Sequence, residues 1–142
     1  MRPMLQGLAA IVVLAAALST ASGASAATVS NAPNPKGEAK LAKLLEGRVA
    51  GKPVSCINLR GSDSSQIIDG TAIVYNGPGG RYYVNRPRGG ADSLRYDDVL
   101  VTRTTGAQLC RTDPVTLVDS LSRFPRGFVN LGDFVPYAKP KP

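Results

Sequence analysis

Two cysteines, no histidine and a scatter of aspartates are the residues with which this chain could do chemistry. Cys56 lies in the stretch GKPVSCINLRG, and Cys110 follows 54 positions later. A catalytic thiol needs a base beside it, and there is no histidine to serve. The spacing is not C-x-x-C, and two cysteines without histidine make a poor start on a four-ligand zinc site. Asp69, Asp113 and Asp133 fall at strand ends or turns, where two could converge as an acid and base pair of the glycosidase kind. Aspartate is also a favoured turn residue, which accounts for each position unaided. Asp92, Asp97 and Asp98 form the densest acidic group, but their spacing does not fit an EF-hand loop, and a solvated loop explains them. Neither a nucleophile elbow nor a phosphate-binding P-loop occurs. No catalytic residue, metal or cofactor is assigned, and the chain reads as a non-enzymatic one.

A binding role has one candidate stretch, RYYVNRPRGG, where arginines and tyrosines interleave on a strand that runs into a proline-glycine loop. Small β domains hold single-stranded nucleic acids and glycans with such surfaces, rings stacking and guanidinium groups holding anions. Arg81, Tyr83, Arg86 and Arg88 are the residues assigned to that role. The plainer account makes Tyr82 core, Tyr83 a strand-forming surface residue, and the arginines solubilising charge. Arg95, Arg103, Arg111, Arg123 and Arg126 add to the binding reading only if the fold gathers them on the same face.

Whether the cysteines stay free depends on where the chain goes. Arg2 opens it, Leu8 to Leu18 is an unbroken run of 11 apolar residues, and Ala24-Ser25-Ala26 fits the small-x-small site of a signal peptidase. The run is well short of the roughly 20 residues of a membrane span. The expectation is a signal peptide over 1–26, cleaved after Ala26, and a periplasmic or secreted mature chain. Removing Arg2 leaves 16 basic against 10 acidic residues, a net +6 in place of +7. A basic exported protein favours an anionic envelope component or a glycan, and makes intracellular nucleic acid an unsuitable partner. In an oxidising compartment an even number of cysteines pairs, so Cys56–Cys110 is expected as a disulfide.

The elements that must position these residues are short. Asn31 to Gly37 (NAPNPKG) reads as the end of a linker over 27–37. EAKLAKLLEGR follows with Leu41, Leu44 and Leu45 on one side, so a short helix is expected, with Asn34 capping its start, Pro35 suited to a first helical position and Gly47 stopping it. From Pro53 onward come short β-branched and aromatic runs separated by turn residues: VSCINL, SQIID, TAIVYN, RYYVN, DVLVTRT, AQLC, VTLVD, GFVNL and DFVPY. Asp69-Gly70 predicts a two-residue hairpin, and Phe124-Pro125-Arg126-Gly127 a type I turn. The fold class expected is mainly β, a small antiparallel barrel or sandwich with one short N-terminal helix, forming a single domain over 38–137 with a flexible tail at 138–142.

Cys56-Ile57, Ile67-Ile68-Asp69, Thr71-Ala72-Ile73-Val74-Tyr75, Tyr83-Val84-Asn85-Arg86, Leu109-Cys110, Asp113 and Leu131-Gly132-Asp133-Phe134-Val135-Pro136 together resemble a family of small exported proteins of Gram-negative bacteria, a domain of unknown function. The resemblance covers roughly residues 48 to 137. It implies export and a compact disulfide-linked domain, and no activity. Relatives in that pattern carry a second cysteine pair where this chain has Ala91 and Val129 or their immediate neighbours. The resemblance therefore implies that those positions lie with Cα atoms closer than about 7 Å.

Overall fold

The computed structural model describes residues 34–62 and 64–141. The signal-peptide reading of 1–26, and the linker up to residue 33, lie outside the described residues. Helix α1 spans Pro35–Leu44 and so takes over the last residues assigned to the linker. Asn34 caps it, its side-chain oxygen accepting from the Lys36 and Gly37 amides, and the chain leaves the helical end through Gly47 at φ 71°. Gly37 is there for closeness. A Cβ on it would stand 1.8 Å from the Thr71 hydroxyl oxygen, so only glycine lets the first turn lie on the hairpin below.

Among the described residues ten strands follow, β1 Val49–Ala50, β2 Cys56–Asn58, β3 Ser65–Ile68, β4 Ala72–Asn76, β5 Tyr82–Asn85, β6 Asp98–Thr102, β7 Gln108–Cys110, β8 Pro114–Asp119, β9 Pro125–Asn130 and β10 Phe134–Ala138. They form a five-stranded antiparallel sheet in the order β1-β10-β5-β4-β3, a ribbon of β2 and β7, and a three-stranded sheet in the order β6-β8-β9. The sheets do not close into a barrel. They stack as a sandwich, with the helix as an outer layer.

Alternation along β4 shows why both layers are needed. Ala72 and Val74 pack with Leu41 of the helix, Ile68 and Val84, while Ile73 and Tyr75 join Ile57, Leu109, Val115, Leu117, Val129, Leu131 and Phe134 on the opposite face. These four of the five β4 side chains are buried, as in a central strand covered twice. Tyr82 and Tyr83 consequently both meet packed layers, Tyr82 on the helix side and Tyr83 on the sandwich side. Tyr83 is thus half-buried, not an open surface ring.

Two turns differ from their sequence reading. Ile68 pairs with Ala72, so the β3–β4 connection holds three residues, and only Gly70 takes positive φ, at 57°. The Thr71 hydroxyl bonds the Asp69 carbonyl at 2.9 Å and stabilises the longer loop. The second reversal lies before Phe124, not across Phe124–Gly127, because the Asp119 carboxylate accepts from the Leu121 and Ser122 amides at 3.0 and 2.7 Å and closes the turn upstream. Pro125 then opens β9, and β8 pairs Leu117 with Gly127 but Val118 with Pro125, which leaves Arg126 as a bulge residue. Strand β1 carries too few residues to show alternation. It pairs Val49 with Ala138, so the last strand extends one residue into the segment assigned to the tail.

Cys56 and Cys110 are directly opposite in the β2–β7 ribbon and are bonded, with Cα atoms 4.0 Å apart. Arg111 N–H donates to the Ser55 carbonyl and Leu59 N–H to the Ala107 carbonyl, so the intervening Cys56–Cys110 pair is a non-hydrogen-bonded one, the closer of the two antiparallel pair types. The Cys110 amide, turned out of the ladder, donates to the Asp113 carboxylate at 2.8 Å. Breaking the bond in the reduced chain, or in Cys56→Ser/Cys110→Ser, is expected to lower unfolding free energy by about 4 kcal/mol from chain entropy alone. Urea unfolding with and without reductant measures it, and a loss below about 1 kcal/mol contradicts the staple.

Candidate functional site

The four residues assigned to binding do not converge. Arg86 and Tyr83 lie at odd separation in and just beyond β5 and so point to opposite faces. Arg86 reaches the helix and makes a two-pronged ion pair with Glu38, its Nη2 to Oε2 distance being 2.8 Å. That pair holds the Glu38 carboxyl below its ordinary value, chiefly through the Arg86 hydrogen bond. Arg88 donates through Nε to the Leu131 carbonyl at 3.1 Å. Arg81 is exposed, and Arg48 covers the Tyr82 ring at 3.7 Å. Arg86 and Arg88 thus brace the fold, and Arg81 is left apart from them.

The aspartates are braces as well. Asp69 Oδ1 accepts the Tyr96 amide at 2.6 Å, Asp113 the Cys110 amide, and Asp133 the Arg111 guanidinium at 2.9 Å. In the densest acidic group, Asp92 and Asp97 are exposed, while the Asp98 side chain is only 1% exposed and is gripped at both oxygens by Arg126, at 3.0 and 2.8 Å. The bulge at Arg126 aims its guanidinium at Asp98. Among the described residues no three of histidine, cysteine, aspartate and glutamate stand together as a metal site.

One polar pair inside the sandwich explains two residues of the pattern singled out in the sequence. Asn85, fully buried, donates to the Gly132 carbonyl at 2.7 Å and accepts the Gly132 amide at 3.0 Å, pairing as a strand neighbour would. A Cβ at Gly132 would come within 2.3 Å of the Arg86 carbonyl oxygen, so the approach requires glycine. The implied second cysteine pair also has a counterpart in the geometry. A Cβ on Gly90, the neighbour of Ala91, would lie 3.4 Å from the Val129 Cα, so these two Cα atoms are inside the about 7 Å limit for a disulfide.

What sequence reasoning missed is the outer face of the β6–β8–β9 sheet. Val99 pairs with Val118, Val101 with Thr116, and Thr116 with Phe128, so these five share one face. Val99 is 45%, Val101 41% and Phe128 64% exposed, and among the described residues no layer covers them. Beyond them the β8–β9 turn carries Leu121 at 90% and Phe124 at 72% exposure. That turn is held, not loose. Asp119 ties the Leu121 and Ser122 amides and the Ser122 hydroxyl, which lowers the Asp119 carboxyl from its ordinary value, and Arg123 sits at φ 62°. A non-glycine residue in the left-handed region is uncommon and persists where surrounding structure fixes it. The signal was present in DVLVT, whose valines alternate with Leu100, but the sequence could not tell which alternate set would be covered.

Asn85→Ala removes both bonds to Gly132 and leaves that amide and carbonyl unpaired, for an expected loss of about 2–4 kcal/mol in urea unfolding. Arg86→Ala breaks an exposed pair and is expected to cost under about 1 kcal/mol at pH 7. Because the folded Glu38 carboxyl is depressed, that contribution is present above its unfolded value of 4.5 and disappears as pH falls through the folded one, so parent and variant converge in acid. A constant gap down to pH 2 contradicts the assignment. No protein-family model matches the chain, and the curated proteins and the solved structures give no match either.

Proposed function

We propose that this chain is a non-enzymatic, exported binding module of the cell envelope, and that it docks through the outer face of the β6–β8–β9 sheet and the β8–β9 turn. The observation that carries the reading is the uncovered row of Val99, Val101 and Phe128, continued by Leu121 and Phe124 on a turn fixed by Asp119. Single exposed apolar residues are ordinary, but several in register on one sheet face are the mark of an interaction surface. Export is supported by the apolar leader and by the disulfide, a bond that persists in oxidising compartments.

Magnitudes favour this face over the arginine strand. Covering a fully exposed large apolar side chain contributes about 1.5–3 kcal/mol, and Leu121, Phe124 and Phe128 are mostly exposed while Val99 and Val101 have under half of that left to gain. The excess positive charge acts through water, where it is screened within about 8–10 Å at physiological salt. It raises encounter rates with anionic surfaces and leaves the holding to the apolar row. Arg126 adds little, being committed to Asp98.

A photo-reactive phenylalanine analogue at Leu121 or Phe128 of the full chain, in cells that export it, is expected to give a discrete crosslinked adduct. The same group at the exposed Glu46 is expected to give none. Phe128→Asp should weaken the Leu121 adduct about tenfold while moving Tm by no more than a few degrees, since Phe128 lies outside the core. Equal labelling at all three positions, no adduct at any, or indifference to Phe128→Asp would reject the reading.

A further inference from the structure

We propose that the groove between β3 and β6 is a strand-addition site for an extended peptide segment of a partner protein, paired along the β6 edge with an acidic residue beside Lys40. This names the partner chemistry of the binding module and rests on that reading. The groove is made of two adjoining hollows of about 430 and 230 Å³ that share Ser65 and Leu100. One runs between Ser65, Gln66 and Ile67 of β3 and Asp98, Val99 and Leu100 of β6, with Lys40 and Tyr96 also lining it. The other continues past Ser62, Tyr75, Thr102 and Leu109.

The backbone groups facing this groove follow from the ladders. Asp98 N–H donates to the Arg95 carbonyl and Asp119 N–H to the Phe124 carbonyl, so the Asp98–Asp119 pair does not bond across β6 and β8. By alternation Val99 and Val101 bond β8, while Leu100 and Thr102 turn their N–H and C=O to the free edge. On the other wall, Asn76 N–H donates to the Ser64 carbonyl, which fixes Gln66 and Ile68 as the residues bonding β4 and turns Ser65 and Ile67 outward. Two open rows of donors and acceptors therefore border one groove.

The remaining edges of the two larger sheets are blunted. Strand β1 has two residues and is followed by Lys52 and Pro53. Strand β9 begins with Pro125, is bulged at Arg126, and is covered at its end where Asn130 exchanges bonds with Arg88 and Gly89. Open edges are hazards that folded proteins shorten, bulge, charge or cover. Neither β3 nor β6 carries a lysine, a proline or a bulge. A second observation points into the groove: the Tyr75 hydroxyl and the Ser62 Oγ are buried without a hydrogen-bond partner among the described residues. Tyr75 is only 5% exposed, and burial pushes its phenol well up, so it stays a neutral donor for an incoming carbonyl or polar side chain. At the opposite end Lys40 makes no ion pair among the described residues, which favours a carboxylate there. An extended peptide supplies a row of N–H and C=O at the spacing these edges need, which compact ligands do not.

The test uses amide hydrogen exchange on the oxidised mature chain with, as probe, a short acetylated peptide of alternating valine and threonine led by glutamate, at millimolar concentration. Without peptide, the Val99 and Val101 amides should exchange slowly and those of Leu100 and Thr102 quickly. With it, Leu100 and Thr102 protection should rise about tenfold or more. An alternately N-methylated peptide, which cannot complete the ladder, should give no protection. Thr102→Pro removes one outward N–H without touching the β8 ladder and should abolish binding with Tm within a few degrees of the parent. If it lowers Tm further, Thr102→Lys, which places a charge on the edge and keeps the amide, is the second variant, with the same loss expected. Unchanged protection, or equal protection by the methylated peptide, overturns the proposal. So does protection that rises with protein concentration alone, which assigns the edge to a second copy. Loss of the Leu121 adduct with Phe128→Asp would still stand in any of these cases, so failure of strand addition is separable from failure of the docking face.

Discussion

The Cys56–Cys110 bond holds a part of this fold that could not hold itself. The β2–β7 ribbon has three residue pairs, and a two-stranded ribbon is marginal in water even when longer. Yet Ile57 and Leu109, which it carries, belong to the sandwich core and lie against Ile73, Tyr75 and Phe134. If the ribbon lifted away, the sandwich face of β4 would lose part of its cover, and β4 is the strand that cannot tolerate exposure on either side. The covalent link sits at the pair position where antiparallel backbones come closest, and the Cys110 amide left outside the ladder is taken by Asp113. One bond thus fixes which strands are neighbours across 54 residues of chain, in a small domain.

The parts legible in the sequence were those governed by local chemistry. Asn34-Pro35 and Gly47 bracket the helix because capping and positive φ are decided within a turn, and the runs from SQIID to RYYVN became β3, β4 and β5 because alternation is a property of each strand alone. The cysteine pairing was legible from the even count and the expected export. Illegible were the features set by a competing contact elsewhere. Thr71 lengthened the Asp69-Gly70 loop, Asp119 moved the second reversal upstream, and β1 exists only because β10 offers it a partner. The residues assigned to the binding strand were parted for the same reason. Its alternation was visible, but what would cover each face was not: the helix took Arg86 through Glu38, and the second layer took Tyr83.

Polar groups follow a consistent rule in this fold until the β3–β6 groove. Asn85 stands in for a missing strand neighbour of Gly132, Asp69 caps the Tyr96 amide, Asp98 takes both prongs of Arg126, and Arg88 reaches the Leu131 carbonyl. Asn85, Asp69 and Asp98 are buried or half-buried, Arg88 is exposed, and each takes its partner from a distant segment. Unpaired buried groups cost about 1–3 kcal/mol each, and small domains with about 5–15 kcal/mol of total stability tolerate few. Tyr75 and Ser62 break the rule together, in the place where two strand edges are also left open.

That coincidence separates an unfinished fold from a site. A sheet edge is open by default and needs explanation only when the same chain shows that it can close one, which β9 does with a proline, a bulge and a bridge to Gly89. An orphaned hydroxyl alone is open to any water. Both defects in one groove, bordered by a face whose apolar row is also uncovered, mean that the β6 strand is incomplete in three senses at once: its outer side chains, its edge groups and the pocket behind it. A partner strand laid along β6 would satisfy the edge and the pocket and extend the apolar face by one strand's width. The outer apolar row stays open under such a strand, so the occupant that meets all three brings an apolar surface against Val99, Val101 and Phe128 together with the strand.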